Sequence, residues 1–287
     1  MIQIITDSAS DITTKEAEEM GIQIIPLRIQ FEDGECPQET EQDFLTFYKR
    51  LEQADQLPKT SQPSPQAYLE YFEAAKEAGD DVLVITLSSG LSGTIGAART
   101  AKDISEYDRV FLVDSRLAIL AQRMLVEYAV KLRAQQMPVE EIVKKLEEIR
   151  DQITVCGMLD TLTYLKKGGR IPAALAVIGN VIGIKPVIIL EDKILKPIAK
   201  VRGRSAGKKK LHEKLEERGA NPDFPVYFGF TSSREIGEEF MKETVEKYHL
   251  KNARLYPVGG VIGTHVGTNC MAICFVNQKE REVLCED

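Results

Sequence analysis

Residues 84–98, VITLSSGLSGTIGAA, set an apolar run against a turn made of Ser88, Ser89, Gly90, Leu91, Ser92, Gly93 and Thr94, followed by small residues suited to a helix. Where a strand leads into a helix, such a turn offers outward N–H groups and the positive end of the helix dipole, and both favour an anion. The hydroxyls add donors, and the glycines let a ligand approach the backbone. The spelling lacks the strongest signals of three familiar chemistries. A Walker loop needs GxxxxGK[ST], and no lysine follows here; a dinucleotide fingerprint needs GxGxxG after the first strand; a nucleophile elbow needs GxSxG, and Thr94 stands where its second glycine belongs. A turn that merely caps its helix stays open on these grounds.

Other small polar residues lie at matching places. Asp7, Ser8 and Ser10 follow the first apolar run, Thr60 and Ser61 sit in a Pro-bounded loop, and Asp114 and Ser115 follow a further run. If the sheet is parallel, these strand ends share one edge and make a rim rich in hydroxyls and poor in charge. Of three histidines, His212 and His249 lie in charge-rich helical stretches, whereas His265 lies in GGVIGTHVGTN, a glycine-dense segment read as a loop. Arg170, in KKGGRI, stands between glycines and hydrophobes. A solvated arginine and a hydrogen-bonded loop histidine are the plain alternatives for those two residues.

The elements that must position these groups alternate. Residues 2–6 and 22–29 read as strands around a helix ending at Gly21; helices follow at about 41–53 and 65–78, then strands at 82–87 and 109–114, each leading into helical sequence. This is the βα rhythm of an open, mostly parallel sheet with flanking helices. After the charged helix beginning at Pro138 the texture changes. KPVIILEDKILKPIAKVRG reads as two strands around an Asp-Lys turn, further strands fall in PVYFGFTSS, ARLYPVGG and NCMAICFV, and helices lie near 205–218 and 233–248. The expected fold is therefore α/β in two domains. Residues 1–155 form an N-terminal α/β domain with the Ser/Gly loops, and 156–287 a C-terminal α/β domain with a mixed or antiparallel sheet. Whether the last strand crosses back to the first domain is left open.

A chain of 287 residues with 43% apolar and 28% charged residues can bury a substantial core, as a soluble protein does. Its net charge of -7 argues against general nucleic-acid binding, which needs a cationic surface. Five scattered cysteines without a CxxC pair fit reduced thiols and give no metal motif, and the sequence opening with MIQIITDSAS has no hydrophobic signal region; the expected location is the cytoplasm. IPAALAVIGNVIGIKPVIIL, residues 171–190, approaches the length of a membrane span, but Asn180, Lys185 and Pro186 interrupt it. The favoured reading is a helix over 171–183, apolar all round, packed inside protein or against an apolar ligand.

Taken in order, ITDSASDI, KTSQPSP, SSGLSGT, VDSR, LTYLKKGGRI, KPVIIL, KVRGRSAG and GTHVG resemble the DegV family of bacterial fatty-acid-binding proteins over almost the whole chain. The resemblance implies a DegV-like two-domain α/β fold that holds one long-chain fatty acid between the domains and presents its carboxylate to a separate ATP-dependent fatty acid kinase. The acyl-phosphate formed there enters phospholipid synthesis. It implies no chemistry by the chain itself, no cofactor or metal, no nucleic acid and at most transient membrane contact. By the same resemblance Thr60 and Ser92 contact the head group, with Ser61, Gly93, Arg170 and His265 beside them and Asp7, Ser8, Ser89, Thr94, Ser115 and Thr264 in support. It also raises the basic segment 199–210 from a solvated charge run to a kinase-docking patch formed by Lys200, Arg202 and Arg204. One departure is visible: family members often continue GTHVG with Pro-Gly, and this chain has Thr268-Asn269.

Two other functions compete. A serine hydrolase or acyltransferase would use Ser92 and His265 with Asp7 or Asp114, and requires contact between nucleophile and base. A regulatory module for some other small anion would carry no lipid.

Overall fold

The computed structural model describes residues 1–172 and 183–278. The first unit contains β1 (Ile2–Asp7), a 3-10 turn (Ser8–Ser10), α1 (Thr14–Met20), β2 (Ile22–Ile25), β3 (Arg28–Phe31), β4 (Gly34–Glu35), α2 (Glu41–Gln53), β5 (Lys59–Ser61), α3 (Pro65–Ala78), β6 (Asp81–Thr86), α4 (Thr94–Ser105), β7 (Val110–Asp114), α5 (Ile119–Ala134) and α6 (Val139–Arg150). The second contains β8 (Ile153–Met158), α7 (Thr163–Lys167), β9 (Ile184–Glu191), β10 (Ile194–Arg202), α8 (Arg204–Arg218), β11 (Val226–Phe230), α9 (Arg234–Tyr248), β12 (Ala253–Pro257), α10 (Gly260–Val266) and β13 (Met271–Val276).

A four-stranded parallel sheet, β2-β1-β6-β7, and a six-stranded mixed sheet, β10-β9-β8-β13-β11-β12, carry the two units, with a small antiparallel sheet β4-β3-β5. The parallel strands are apolar on both faces, since helices cover both: residues 82–86 of β6 are all buried. Caps fix the entries to the helices. Thr13 and Glu16 form a reciprocal capping box at α1, and Gly21 ends that helix in the left-handed conformation at φ 61°. One core joins the units. Leu83 and Ile85 of the first sheet, Leu120, Leu125 and Val126 of α5, and Val155, Ala272 and Cys274 of the second sheet belong to the same buried cluster. Helix α5 thus lies between the two sheets.

Three sequence expectations need adjustment and one question left open is answered. Residues 22–29 do not form one strand: Pro26 lacks an N–H for a ladder, so β2 stops at Ile25 and β3 joins a different sheet. The boundary set at residue 155 falls inside β8, which belongs wholly to the six-stranded sheet; we put the division in the α6–β8 connection. The last strand, β13, does not return to the first sheet but inserts between β8 and β11. The glycine-dense segment around His265 is a helix, α10, not a loop. A Cβ on Gly260 would lie 2.6 Å from the Phe47 ring, and one on Gly263 2.6 Å from the Tyr48 hydroxyl. These glycines serve close approach to α2. The apolar helix expected at 171–183 falls mostly on residues outside those described. Among the described residues no helix is long and apolar enough to cross a membrane.

Candidate functional site

A cavity of about 340 Å³ lies where the Ser/Gly turn, β5, the start of α5, α10 and the inner face of the six-stranded sheet converge. That volume is within the ~300–1,000 Å³ of small-molecule sites. Most of its wall is aliphatic, including Leu27, Leu87, Ile119, Leu165, Ile188 and Val261. Its polar side chains come from separate elements: Thr60, Ser61 and Gln62 from β5 and its exit, Ser92 from the turn, Arg170 from the KKGGR turn, Thr231 just past β11, and His265 from α10.

The turn is held from three sides. Ser88 N donates to Leu117 O at 2.7 Å, and the Ser88 hydroxyl donates to Lys193 O at 2.7 Å, so the tip of the β9–β10 hairpin rests on the turn. Asp192 and Lys193 at that tip both have positive φ, 52° and 71°, as a tight two-residue hairpin turn requires. Ser89 donates through its N–H and its hydroxyl to Asp114, which also pairs with Lys193. Gly93 then caps α4 without a side chain, and Ser92 Oγ lies 2.9 Å from Thr94 Oγ1.

His265 Nε2 and Thr60 Oγ1 are 3.0 Å apart, and Arg170 bridges to the turn by donating from Nε to Leu91 O at 3.2 Å and from Nη1 to Gly168 O at 2.6 Å. Burial, with Arg170 nearby, pushes the His265 imidazole down to about 4, so it is neutral near pH 7. Its Nδ1 is buried and has no hydrogen-bond partner among the described residues. Gly168 makes room for the ring: a Cβ there would overlap Nδ1. The lining contains no aspartate or glutamate, so Arg170 is its one formal charge among the described residues. The site is therefore cationic with hydroxyl and amide donors around it, which suits a single carboxylate.

Of the head-group residues expected from sequence, Thr60, Ser61, Ser92, Gly93, Arg170 and His265 all line the cavity. The supporting residues do not. Asp7 is fully buried and accepts from Leu87 N at 2.7 Å, Ala9 N at 3.1 Å and Gln122 at 3.1 Å, while burial raises its pKa to about 6. The Ser8 hydroxyl accepts from Leu27 N, the Ser115 hydroxyl from Leu117 N, and the Thr264 hydroxyl donates to Gly260 O within α10. Ser89 serves Asp114, and Thr94 meets Ser92 from outside the lining. These residues build the walls. No triad is assembled: His265 faces Thr60, Ser92 faces Thr94, and the hydrogen bonds of Asp7 and Asp114 go to other groups.

Sequence reasoning passed over Gln62, although it stands in the quoted KTSQPSP loop, and Asp11. Asp11 has φ 55°, accepts from Gly259 N at 2.9 Å and thereby holds the entry to α10; burial raises its carboxyl to about 8. Asn269 takes φ 57°, which asparagine tolerates better than most residues, and its N–H donates to Ser232 Oγ. Lys200 and Arg202 lie on the exposed side of β10, and Arg204 opens α8.

An open parallel sheet joined through α5 to a mixed six-stranded sheet, with an apolar cavity and cationic mouth between them, defines a two-unit α/β protein with a small-molecule-sized cavity. The DegV family model, described as "Uncharacterised protein, DegV family", matches residues 1–278, and the chain belongs to that family. Protein DegV of Bacillus subtilis is 32% identical over 279 residues, covering 96% of this chain and 98% of that one. A DegV lipid-binding protein of Thermotoga maritima superposes with a TM-score of 0.85 at 31% identity, covering 98% of this chain and 99% of that one. The structure of Bacillus subtilis DegV, described as a fatty acid binding protein, superposes at 0.83 with 29% identity, covering 96% and 99%. A stearic acid-binding protein of Eubacterium ventriosum superposes at 0.83 with 25% identity, covering 96% and 98%.

Proposed function

We propose that this chain binds one long-chain fatty acid, tail in the cavity and carboxylate among Thr60, Ser92, Arg170 and His265, and presents that carboxylate to an ATP-dependent fatty acid kinase whose acyl-phosphate product supplies phospholipid synthesis in the cytoplasm. The observation that carries the reading is an aliphatic cavity whose mouth has one arginine, a neutral histidine, hydroxyls and no carboxylate. Burying ~15 methylenes at ~0.8 kcal/mol each gives ~12 kcal/mol gross, before ordering costs. Each hydrogen bond to the charged head group adds ~1.5–3 kcal/mol. The tail sets affinity, and the polar residues fix register and keep the carboxylate paired. The chain contributes binding and orientation, and the group transfer belongs to the kinase. The fatty-acid ligands of the related proteins support the lipid half of this proposal. The kinase half rests on the family resemblance and the basic end of β10.

Mass spectrometry of an organic extract, paired with a native mass of the intact complex, tests the reading. One fatty acid per chain is expected. An empty protein that also refuses added oleate and palmitate overturns it and returns the site to another small anion.

A further inference from the structure

The floor of the cavity carries three adjacent residues with almost no side chain, Gly157, Ala272 and Gly229, with Ile188 beside them at one end. Ile188 of β9, Gly157 of β8, Ala272 of β13 and Gly229 of β11 are successive register partners across the six-stranded sheet, and all four line the cavity. Register partners point to the same face. A Cβ on Gly157 and one on Gly229 would each lie 3.5 Å from the Cβ of Ala272. Two residues along each strand, bulk returns. Val155, Cys274 and Tyr227 form the next register row on one side, and Leu159, Cys270 and Thr231 stand on the other. The row is therefore a trough running across the strands. From Ile188 to Gly229 it spans three strand spacings, ~14 Å.

Its two ends differ. Above Gly157 the nearest atoms to an added Cβ belong to the neighbouring strand itself, Met271 O at 3.1 Å and Ala272. At Gly229 the opposite wall arrives: Leu120 Cδ1 of α5 would be 2.9 Å away, and Val258 Cγ2, from the residue just after β12 on the same sheet, 3.4 Å away. Leu120 is fully buried in the core shared by both units, so this end is a packed wall and not a movable loop.

We infer that the acyl tail lies over Gly157 and Ala272 and stops against Leu120 and Val258, so that these positions set the tail length the protein accepts. The inference rests on the fatty-acid reading. It makes tail length a property of the sheet and α5, separate from the head-group cluster.

Competition among saturated fatty acids of ten to eighteen carbons, read by native mass spectrometry, tests it on the full chain. Ala272→Leu should move the preference to shorter acids, with about a tenfold loss for every two methylenes displaced and near wild-type affinity for the shortest acid bound. Val258→Ala should move it toward longer acids. If Ala272→Leu does not fold, Gly157→Ala places one methyl in the open part of the trough and should shift the preference the same way by less. An unchanged order of preference in the variants, or an equal loss at every length, overturns the inference while leaving fatty-acid binding intact. A wild-type protein that binds no acid of any length overturns the underlying reading, and this one with it.

Discussion

Gly168→Ala isolates the placement of His265. Gly168 has φ -75° and ψ -9°, an ordinary helical conformation that alanine adopts freely, so the backbone is not the obstacle. The obstacle is the imidazole: the new Cβ would overlap Nδ1, lie 2.9 Å from Cε1 and 3.2 Å from Tyr164 O. Restoring ordinary contact requires the ring to move by ~1 Å, enough to break its 3.0 Å contact with Thr60. The lost hydrogen bond costs ~1 kcal/mol and the overpacking a further ~1–3 kcal/mol. At ~2–4 °C per kcal/mol this lowers Tm by roughly 5–10 °C. The pH dependence changes too. His265 is held down to about 4 against an ordinary 6.5, so in that window the unfolded chain binds more protons and stability falls as pH falls from 6.5 toward 4. A ring pushed toward water titrates nearer 6.5 and loses that slope. Long-range ¹H–¹⁵N spectra can follow the three histidines of the chain through a pH titration. A variant in which His265 still titrates near 4 and Tm stays within about 1 °C of wild type refutes the reasoning.

If the proposed reading holds, with the Ser92 hydroxyl orienting the head group while the tail supplies affinity, Ser92→Ala should impair acyl phosphorylation more than lipid retention; wild-type turnover in a coupled kinase assay would remove Ser92 from that role. Burial raises Asp11 to about 8, so between roughly 4 and 8 the folded state holds the proton more tightly than the unfolded chain and stability declines as pH rises. Asp11→Asn should flatten the Tm profile from pH 5 to 8 relative to wild type, Asp7 contributing the same sign only up to about 6. Reversing Arg202, exposed near the end of β10, should slow kinase turnover at subsaturating protein without changing lipid content; unchanged turnover returns segment 199–210 to a solvated charge run.

Apolar runs bounded by turn residues were readable from sequence as strands, whether buried like β6 and β9 or half-exposed like β10. VLVITL and the KPVIILEDKILKPIAKVRG hairpin appear as β6, β9 and β10 because an apolar run bounded by turn residues has few other ways to bury itself. Pro26 was present in the segment read as one strand, and its missing donor splits β2 from β3. The glycines of α10 misled because glycine density signals both a turn and a close helix contact; Phe47 and Tyr48, far away in sequence, decide between them. Within the site, residue types were visible and partnerships were not. Thr60 and His265 are 205 positions apart, and only the fold shows that His265 turns to Thr60 rather than to Ser92. Asp7 read as a candidate for chemistry and Asp11 was passed over, yet both accept from backbone N–H groups that hold a wall.

The position of β13 bears on how the molecule is made. A ribosome delivers β8 and β11 well before the strand that separates them, so until residues 271–276 emerge each lacks its partner on that side. Ala272 arrives with that strand. A nascent chain that has completed the parallel sheet, the Ser/Gly turn and even His265 still lacks the strand that closes the cavity floor. On the proposed fatty-acid reading, lipid loading would follow translation of β13, and ribosome-stalled chains of increasing length should then acquire ligand abruptly at that strand rather than by degrees.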